Sequence, residues 1–345
     1  MVAVYGFDIG GANLKFYDSD RDYAASIPFR LWEQPARLTD FLRNNFGIAD
    51  PSAQIAITMT GELCDCFESK RDGVNQIADS VCQAFGSERA HFYAMNSSGH
   101  RFCRADEVDE NWQQIAAANW HATATSMGRL FANSFSDVFV LVDIGSTTTD
   151  IIPVRSGVPQ TIGHNDFGRI GAFELLYTGV ARTPVFGVLP QCLIGENRLT
   201  LAPELFACMH DVYLLLNEIA EDVQNAATCD GRPATQIDAS RRIARLLCLD
   251  DDPTIATEIA KQAAAAQADL IRNTMKRVID RFRNDQPCFL VAGEGAWLAR
   301  RIIQSTWSRA LITDVDERMG KAKSKSIGAV AVAELLQENL LELSQ

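Results

Sequence analysis

The chain has no apolar run as long as the ~18 residues that cross a membrane, and its opening, MVAVYGFDIG, has neither a basic stretch nor a small-residue cleavage site. No membrane partner or secretory leader is therefore expected, and the opening reads as a buried strand of a cytoplasmic protein. Positive charge is also scarce: 32 Lys and Arg face 44 Asp and Glu, a formal net charge of −12. That balance excludes the basic footprint of a nucleic-acid binder, and the one basic run, GKAKSK at 320–325, reads as a solvated loop. The nine cysteines have no framework spacing, which excludes a disulfide scaffold and fits reduced thiols. Several, such as Cys208, Cys248 and Cys288, have apolar sequence neighbours. The CDC of Cys64 and Cys66 lacks a second Cys/His pair at ligand spacing, so no metal is expected there. A polymerising or peptide-holding scaffold would need a hydrophobic stripe or an added domain, and neither is visible.

What is present is a globular composition, 47% hydrophobic and 22% charged, in 345 residues. That length suggests two domains, expected at 1–133 and 134–325, with a C-terminal helix at 326–345 packing back on the first. Strands are predicted at 2–7, 13–17, 52–61 and 137–146. Helical periodicity covers 72–86, 109–132, 204–222 and most of 251–283, and the last helix, from about 326 to 343, reads as amphipathic. QPCFLVAGEGAWLARR at 286–301 reads as strand, glycine turn and helix.

One device is written twice. GFDIGGANLK at 6–15 returns as LVDIGSTTTD at 141–150, each an apolar strand running into Asp-Ile-Gly and then a small polar turn. A separation of about 135 residues suits a duplicated domain and not a short-period solenoid. Such turns bring backbone N–H groups close to an anion, because glycine allows positive φ and leaves no side chain in the way. The phosphate-binding candidates are Gly10, Gly11, Asn13 and Lys15 in the first copy, and Gly145, Ser146, Thr147 and Thr148 in the second. Asp8 and Asp143, at the strand ends, make sense beside an anion if Mg²⁺ or its water lies between. The third turn, with Gly293 and Gly295, is a candidate nucleotide-like pocket for a base or another flat group.

The paired DxG hairpins and the later strand-GxG-helix resemble the phosphate and adenosine motifs of the actin-like superfamily. More narrowly, DIGGANLK, ITMTGELCDCF, AANWHATA, LVDIGSTTTDIIP, LLYTGVARTPV, DVYLLLNEIAEDV and CDGRPAT look like the tetrahydromethanopterin-linked C1 transfer pathway family, a hydantoinase/oxoprolinase-like branch of that superfamily. The resemblance implies an α/β fold of two duplicated actin-like (RNase H-like) ATPase domains with an interdomain cleft. It also implies a transferase of methanofuran or methylofuran biosynthesis. Such an enzyme couples an aminomethyl-furan methyl diphosphate to the phenol oxygen of γ-glutamyltyramine or tyrosine and releases diphosphate.

That chemistry assigns roles. The turn amides, Lys15 and Mg²⁺ would stabilise the departing diphosphate. The phenol, with a pKa of about 10, needs a base, for which Asp150 is preferred and Glu218 follows. Asp150 is equally readable as a metal-water ligand, and Glu218 as part of a solvated helix face. Asn119 and Trp120 are candidate binders of the organic substrates, although Trp120 at helical spacing also reads as core. His121 reads as a structural histidine. Arg182 and Arg232 could hold a carboxylate or phosphate bidentately, or form interdomain salt bridges. Ala12 stands where many ATP-binding relatives carry Thr, which counts against ordinary ATP hydrolysis, while the second turn keeps Ser146, Thr147, Thr148 and Thr149; ATP is possible but not required by the leading reading. The same clamp would also serve an ATP-dependent small-molecule kinase or a hydantoinase/oxoprolinase-like hydrolase. Small-molecule partners are expected, and a homo-oligomer is left open.

Overall fold

The computed structural model describes residues 2–96, 99–131, 138–282 and 287–343. The expected domain boundary at 133/134, and the ends of predicted elements at 132, 137, 283 and 286, lie outside these. The first part of the chain runs β1 (Val4–Ile9), β2 (Asn13–Asp18), β3 (Tyr23–Pro28), α1 (Leu38–Asn45), β4 (Gln54–Met59), α2 (Lys70–Phe85), β5 (Ala90–Asn96), β6 (Gly99–Cys103), α3 (Trp112–Ile115) and α4 (Asn119–Leu130). The middle holds β7 (Val138–Ile144), β8 (Thr149–Arg155), β9 (Val158–Pro159), α5 (Asp166–Gly171), β10 (Leu175–Leu176), α6 (Val185–Val188), β11 (Gln191–Ile194), β12 (Asn197–Thr200) and α7 (Met209–Leu215). Then come α8 (Gln236–Ala244), α9 (Pro253–Ile279), β13 (Cys288–Ala292), α10 (Ala296–Thr306), β14 (Leu311–Asp314), α11 (Val315–Met319), α12 (Lys321–Lys325) and α13 (Ile327–Leu343).

The first sheet has strand order β3-β2-β1-β4-β5-β6. Antiparallel pairs join β3, β2 and β1, parallel pairs join β1, β4 and β5, and β6 is antiparallel to β5. The second sheet repeats the plan as β10-β8-β7-β13-β14. In both, a hairpin pair lies beside a strand that returns from far along the chain, which is the actin-like arrangement written twice. By internal contacts, unit 1 comprises 1–141, 152–169 and 313–345, and unit 2 comprises 142–151 and 170–312.

Central β1 is buried almost throughout, as expected for a strand with neighbours on both edges and a covered face. Its covering helix is α13. A Cβ at Gly6 would lie 1.9 Å from the Ala329 carbonyl oxygen, so this close approach admits only glycine. Consistent with that, Ile327 to Ala333 are all buried. The first two turns of α13 are therefore apolar on every side and not amphipathic.

Two predicted helices are interrupted. The 109–132 segment divides into α3 and α4 around Ala117, whose φ is +49°. The 204–222 segment reduces to α7, because Asn217 adopts the left-handed region at φ +60°. Asn tolerates that conformation where most residues do not, and it stops the helix before Glu218. Among the described residues no helix is long and apolar enough to cross a membrane.

Candidate functional site

Each unit carries one Asp-Ile-Gly turn, and the two are built alike. In unit 1 the Gly10 amide closes the turn on the Asn13 carbonyl at 3.1 Å; in unit 2 Gly145 does the same to Thr148 at 2.9 Å. Neighbouring segments take up the turn carbonyls: Leu31 donates to Gly11 and Phe29 to Ala12, while Val180 donates to Gly145 and Ala181 and Arg182 donate to Ser146. The amides of Gly11, Ala12, Ser146 and Thr147 donate to no acceptor among the described residues. Unbonded amides at a turn whose carbonyls are held from behind form an anion-binding concavity.

In unit 1, Asp8 and Lys15 are register partners across β1 and β2. Their seven-residue spacing therefore becomes an ion pair, Nζ to Oδ2, at 3.2 Å. Asp8 is buried, and its Oδ1 has no hydrogen-bond partner. Thr58, its register neighbour on β4, has a buried Oγ1 in the same condition, and so does Oε2 of Glu62. Orphaned buried oxygens call for a ligand, water or ion, and a hard cation with its waters suits an all-oxygen set. The residues present thus fit Mg²⁺ near Asp8.

Glu62 follows the end of β4 and is 1% exposed. Burial, aided by the charges of Asp166 and Asp8, raises its carboxyl from 4.5 to about 7, although Lys70 acts in the other direction. Lys70 itself pairs with Asp166 at 3.1 Å. Behind Glu62, a Cβ at Gly73 would lie 2.4 Å from the Glu62 carbonyl oxygen, so α2 presses on this segment.

Glu62 was not among the residues that sequence reasoning singled out. The signal available was the second repeat: ITMTGE at 57–62 matches FLVAGE at 289–294. The structure gives the match a cause. The amide of Gly61 donates to Ile9 at 3.0 Å and that of Gly295, two residues beyond the position matching Gly61, donates to Ile144 at 2.8 Å, so each segment braces the strand end that leads into a glycine turn without sharing one register. AGEGAW is thus the second repeat's counterpart of TGE. Gly293, at φ +84°, is required because a Cβ would lie 2.2 Å from Asp143 Oδ1, and a Cβ at Gly295 would strike Ile144 and Val180. These contacts require glycine at both positions whatever else the turn holds.

Within unit 2, Gly179 supports the second turn: its Cβ would lie 2.4 Å from the Gly145 carbonyl oxygen and 2.5 Å from the Thr147 amide nitrogen. The buried Gln267 fixes this segment through Thr178 Oγ1 at 2.7 Å and the Gly179 carbonyl at 2.9 Å. Asp150 is half-buried on β8, in register with Leu175. Arg182 is exposed. Glu218 lies beyond α7, not on a helix face, and pairs with Arg301. Arg232 is 3.8 Å from Asp230, a salt bridge within unit 2.

The NWHA residues are in unit 1. Asn119 begins α4 and is half-buried. Trp120 is 3% exposed, with the fully buried Arg169 guanidinium 4.2 Å above its ring. It is packed as core, not as an open wall. His121 accepts or donates at 2.7 Å with the Tyr93 hydroxyl, and Tyr93 stacks on His100. Burial chiefly, then nearby positive groups, lowers both His100 and His121 to about 4, so both are neutral at pH 7.

Comparison with known proteins places the chain. It is 31% identical, over 98% of its length and 99% of the relative's, to a Methanocaldococcus jannaschii protein named (4-{4-[2-(gamma-L-glutamylamino)ethyl]phenoxymethyl}furan-2-yl)methanamine synthase. A Methanococcus vannielii protein of the same name is 32% identical over 58% of this chain and 91% of its own. Among solved structures, a nucleotide-free acetone carboxylase shares the fold with a TM-score of 0.52 and 10% identity, over 96% of this chain and 70% of that one. The sequence profile of the hydantoinase/oxoprolinase family matches residues 54–339, and the chain belongs to that family.

Proposed function

We propose that the chain is a cytoplasmic transferase of methanofuran or methylofuran assembly. It joins the methylene carbon of an aminomethyl-furan methyl diphosphate to the phenol oxygen of a tyramine or tyrosine derivative. The observation that carries this reading is the full-length identity to a relative named for making a phenoxymethyl-furan amine. The anion-binding turns, with their unbonded amides, agree with a diphosphate leaving group.

In the reaction, the carbon–oxygen bond to diphosphate breaks and its electron pair departs with the leaving group. The phenol oxygen bonds to the methylene carbon, and the phenol proton passes to a base. The unbonded amides of Gly11 and Ala12 meet the growing negative charge, with preorganised donors that need no rearrangement as the bond breaks. Lys15 exchanges part of its pairing with Asp8 for a phosphate oxygen. Mg²⁺, held at Asp8 and Thr58, would neutralise diphosphate charge. The second turn, with Ser146 and Thr147, has the same phosphate-binding chemistry. For the proton we prefer Glu62 to Asp150. Its carboxylate has an unbonded oxygen, and a pKa of about 7 lets it be ionised at neutral pH while remaining a useful base. Glu218 is engaged by Arg301 and is set aside.

Family membership supports a second reading, an ATP-dependent small-molecule kinase or a hydantoinase/oxoprolinase-like hydrolase using the same turns. The test is mass spectrometry of the protein incubated with Mg²⁺, the furan diphosphate and either γ-glutamyltyramine or tyrosine. An ether with one diphosphate released, without ATP, is expected. ADP formation from ATP with a small-molecule panel, and no ether, would favour the second reading.

A further inference from the structure

Unit 2 contains a cluster unused by this chemistry. Cys208 Sγ, a carboxylate oxygen of Asp211 and Cys229 Sγ all lie within 4.8 Å of one another. The cysteines are 21 residues apart in sequence, and the fold alone brings them together. Cys208 donates its thiol to Asp211 Oδ2 at 3.6 Å, and the same oxygen accepts the Cys208 amide at 3.0 Å. The other oxygen of Asp211 accepts from the fully buried Arg242 at 2.8 Å, and Arg242 also holds Asp230 at 3.0 Å. A metal would have to share this carboxylate with a guanidinium and the Cys208 amide, which argues for thiol chemistry instead.

We propose that Cys208 and Cys229 form a reversible thiol–disulfide site, with Cys229 the attacking thiol and Cys208 the resolving one, oxidised by a low-molecular-weight disulfide such as glutathione disulfide. Cys229 is half-buried on a loop, reachable from solvent. The Cys208 thiol beside it, with help from Arg242, draws the Cys229 thiol below the ordinary range. Cys208 is pushed well above that range by its pairing with Cys229, by burial and by the charge of Asp211. A low-pKa, accessible thiol beside a second thiol is the arrangement from which disulfide exchange proceeds.

The Cys229 thiolate attacks one sulfur of the small disulfide, forming a mixed disulfide and releasing one thiolate. Cys208 then gives its proton to Asp211 or water and attacks the Cys229 sulfur, and the second small thiolate leaves. Two protein thiols are oxidised and one small disulfide is reduced to two thiols. Closing the sulfurs to bonding distance requires the Cys229 loop to move. Beyond its Asp222–Ala234 bridge, this loop is in no strand or helix from 224 to 233.

The bond would reach the second glycine turn. Cys208 is bridged to Pro184, while Met209 donates to Thr183 at 2.8 Å and His210 to Ala181 at 3.1 Å. The amides of Ala181 and Arg182 in turn hold the Ser146 carbonyl at 3.1 and 2.8 Å. Oxidation therefore acts on the segment that braces this turn.

The test treats the full-length reduced protein with glutathione disulfide and maps its peptides under non-reducing conditions. Loss of two of the nine thiols, recovered as one Cys208–Cys229 peptide and restored by dithiothreitol, is expected. Cys208→Ser should stop at a mixed disulfide on Cys229, and Cys229→Ser should leave Cys208 unmodified under the same conditions. Circular dichroism of both variants checks that they fold. Glutathionylation spread over other cysteines at equal rates, or no Cys208–Cys229 bond in the folded wild type, would overturn the proposal. So would a stoichiometric metal whose removal is needed before either thiol reacts, which would make the cluster a metal site.

Discussion

Lys15 Nζ lies 3.2 Å from Asp8 Oδ2, across the first hairpin and at the mouth of its glycine turn. The pair joins a buried carboxylate to a cation that is one-third exposed, so the lysine can turn to a phosphate while Asp8 stays in place. Stability and ligand affinity should therefore both depend on this pair.

Lys15→Ala strips the cation from a buried carboxylate and is expected to cost about 3 kcal/mol of stability, more than an exposed ion pair is worth. Diphosphate affinity should fall about tenfold, roughly 1.4 kcal/mol. Urea denaturation and calorimetric titration with Mg²⁺-diphosphate measure the two quantities; an unchanged affinity would remove Lys15 from the phosphate site.

Gly179→Ala should damage the second turn from behind. The added methyl would meet backbone at 2.4 and 2.5 Å, not a side chain that can swing away. A loss of about 1–3 kcal/mol is expected from such overpacking, with weakened diphosphate binding. Gly47→Ala is the control, since nothing lies within 4 Å of its Cβ position.

Glu62 gives a pH signature of definite sign. Its carboxyl is raised from 4.5 to about 7 in the folded chain. Its favourable contribution is therefore fully present below pH 4.5 and is lost as pH rises through 7. Glu62→Gln removes that dependence, so the variant should be the more stable protein at pH 9, by up to about 3 kcal/mol. The difference should vanish below pH 4.5. The same variant should lose ether formation, whereas the wild-type rate rises through pH 7. Denaturation at both pH values, beside a pH–rate profile, measures stability and catalysis together.

His91, His100 and His121 act in the opposite direction. Burial chiefly lowers all three from 6.5 to about 4, so their stabilising contribution is complete above pH 6.5 and is lost as pH falls toward 4. Three such groups outweigh the single glutamate, and the urea midpoint should drop steadily over that interval. A flat midpoint between pH 6.5 and 4 would mean that these rings are already charged or exposed in the folded protein.

Much of the site's frame was legible because it is local. Both turns follow from strand alternation and glycine placement within ten residues, whereas the Asp8–Lys15 ion pair, with Asp8 expected at a cation and Lys15 at a phosphate, emerges only in the register of β1 and β2. The repeat extends further than the hairpins, since the TGE and AGEGAW segments each donate an amide to the strand ends at Ile9 and Ile144. Helix ends were less visible. Nothing in the periodicity around Ala117 or Asn217 marks a residue that will adopt positive φ. The apolar side of α13 was read as one face because its burial on all sides depends on a strand more than three hundred residues earlier. Glu62 and the Cys208–Cys229 pair were hidden for the same reason. Burial of a carboxylate and contact between distant thiols are products of packing, and no spacing rule encodes them.

The most direct measurement of the central claim uses phenol substrate labelled with ¹⁸O at the hydroxyl, with product and diphosphate weighed by mass spectrometry. Attack by the phenol on the furan methylene predicts ¹⁸O in the ether and unlabelled diphosphate. Label in a phosphate product, or ether formation only with ATP consumed, would contradict it.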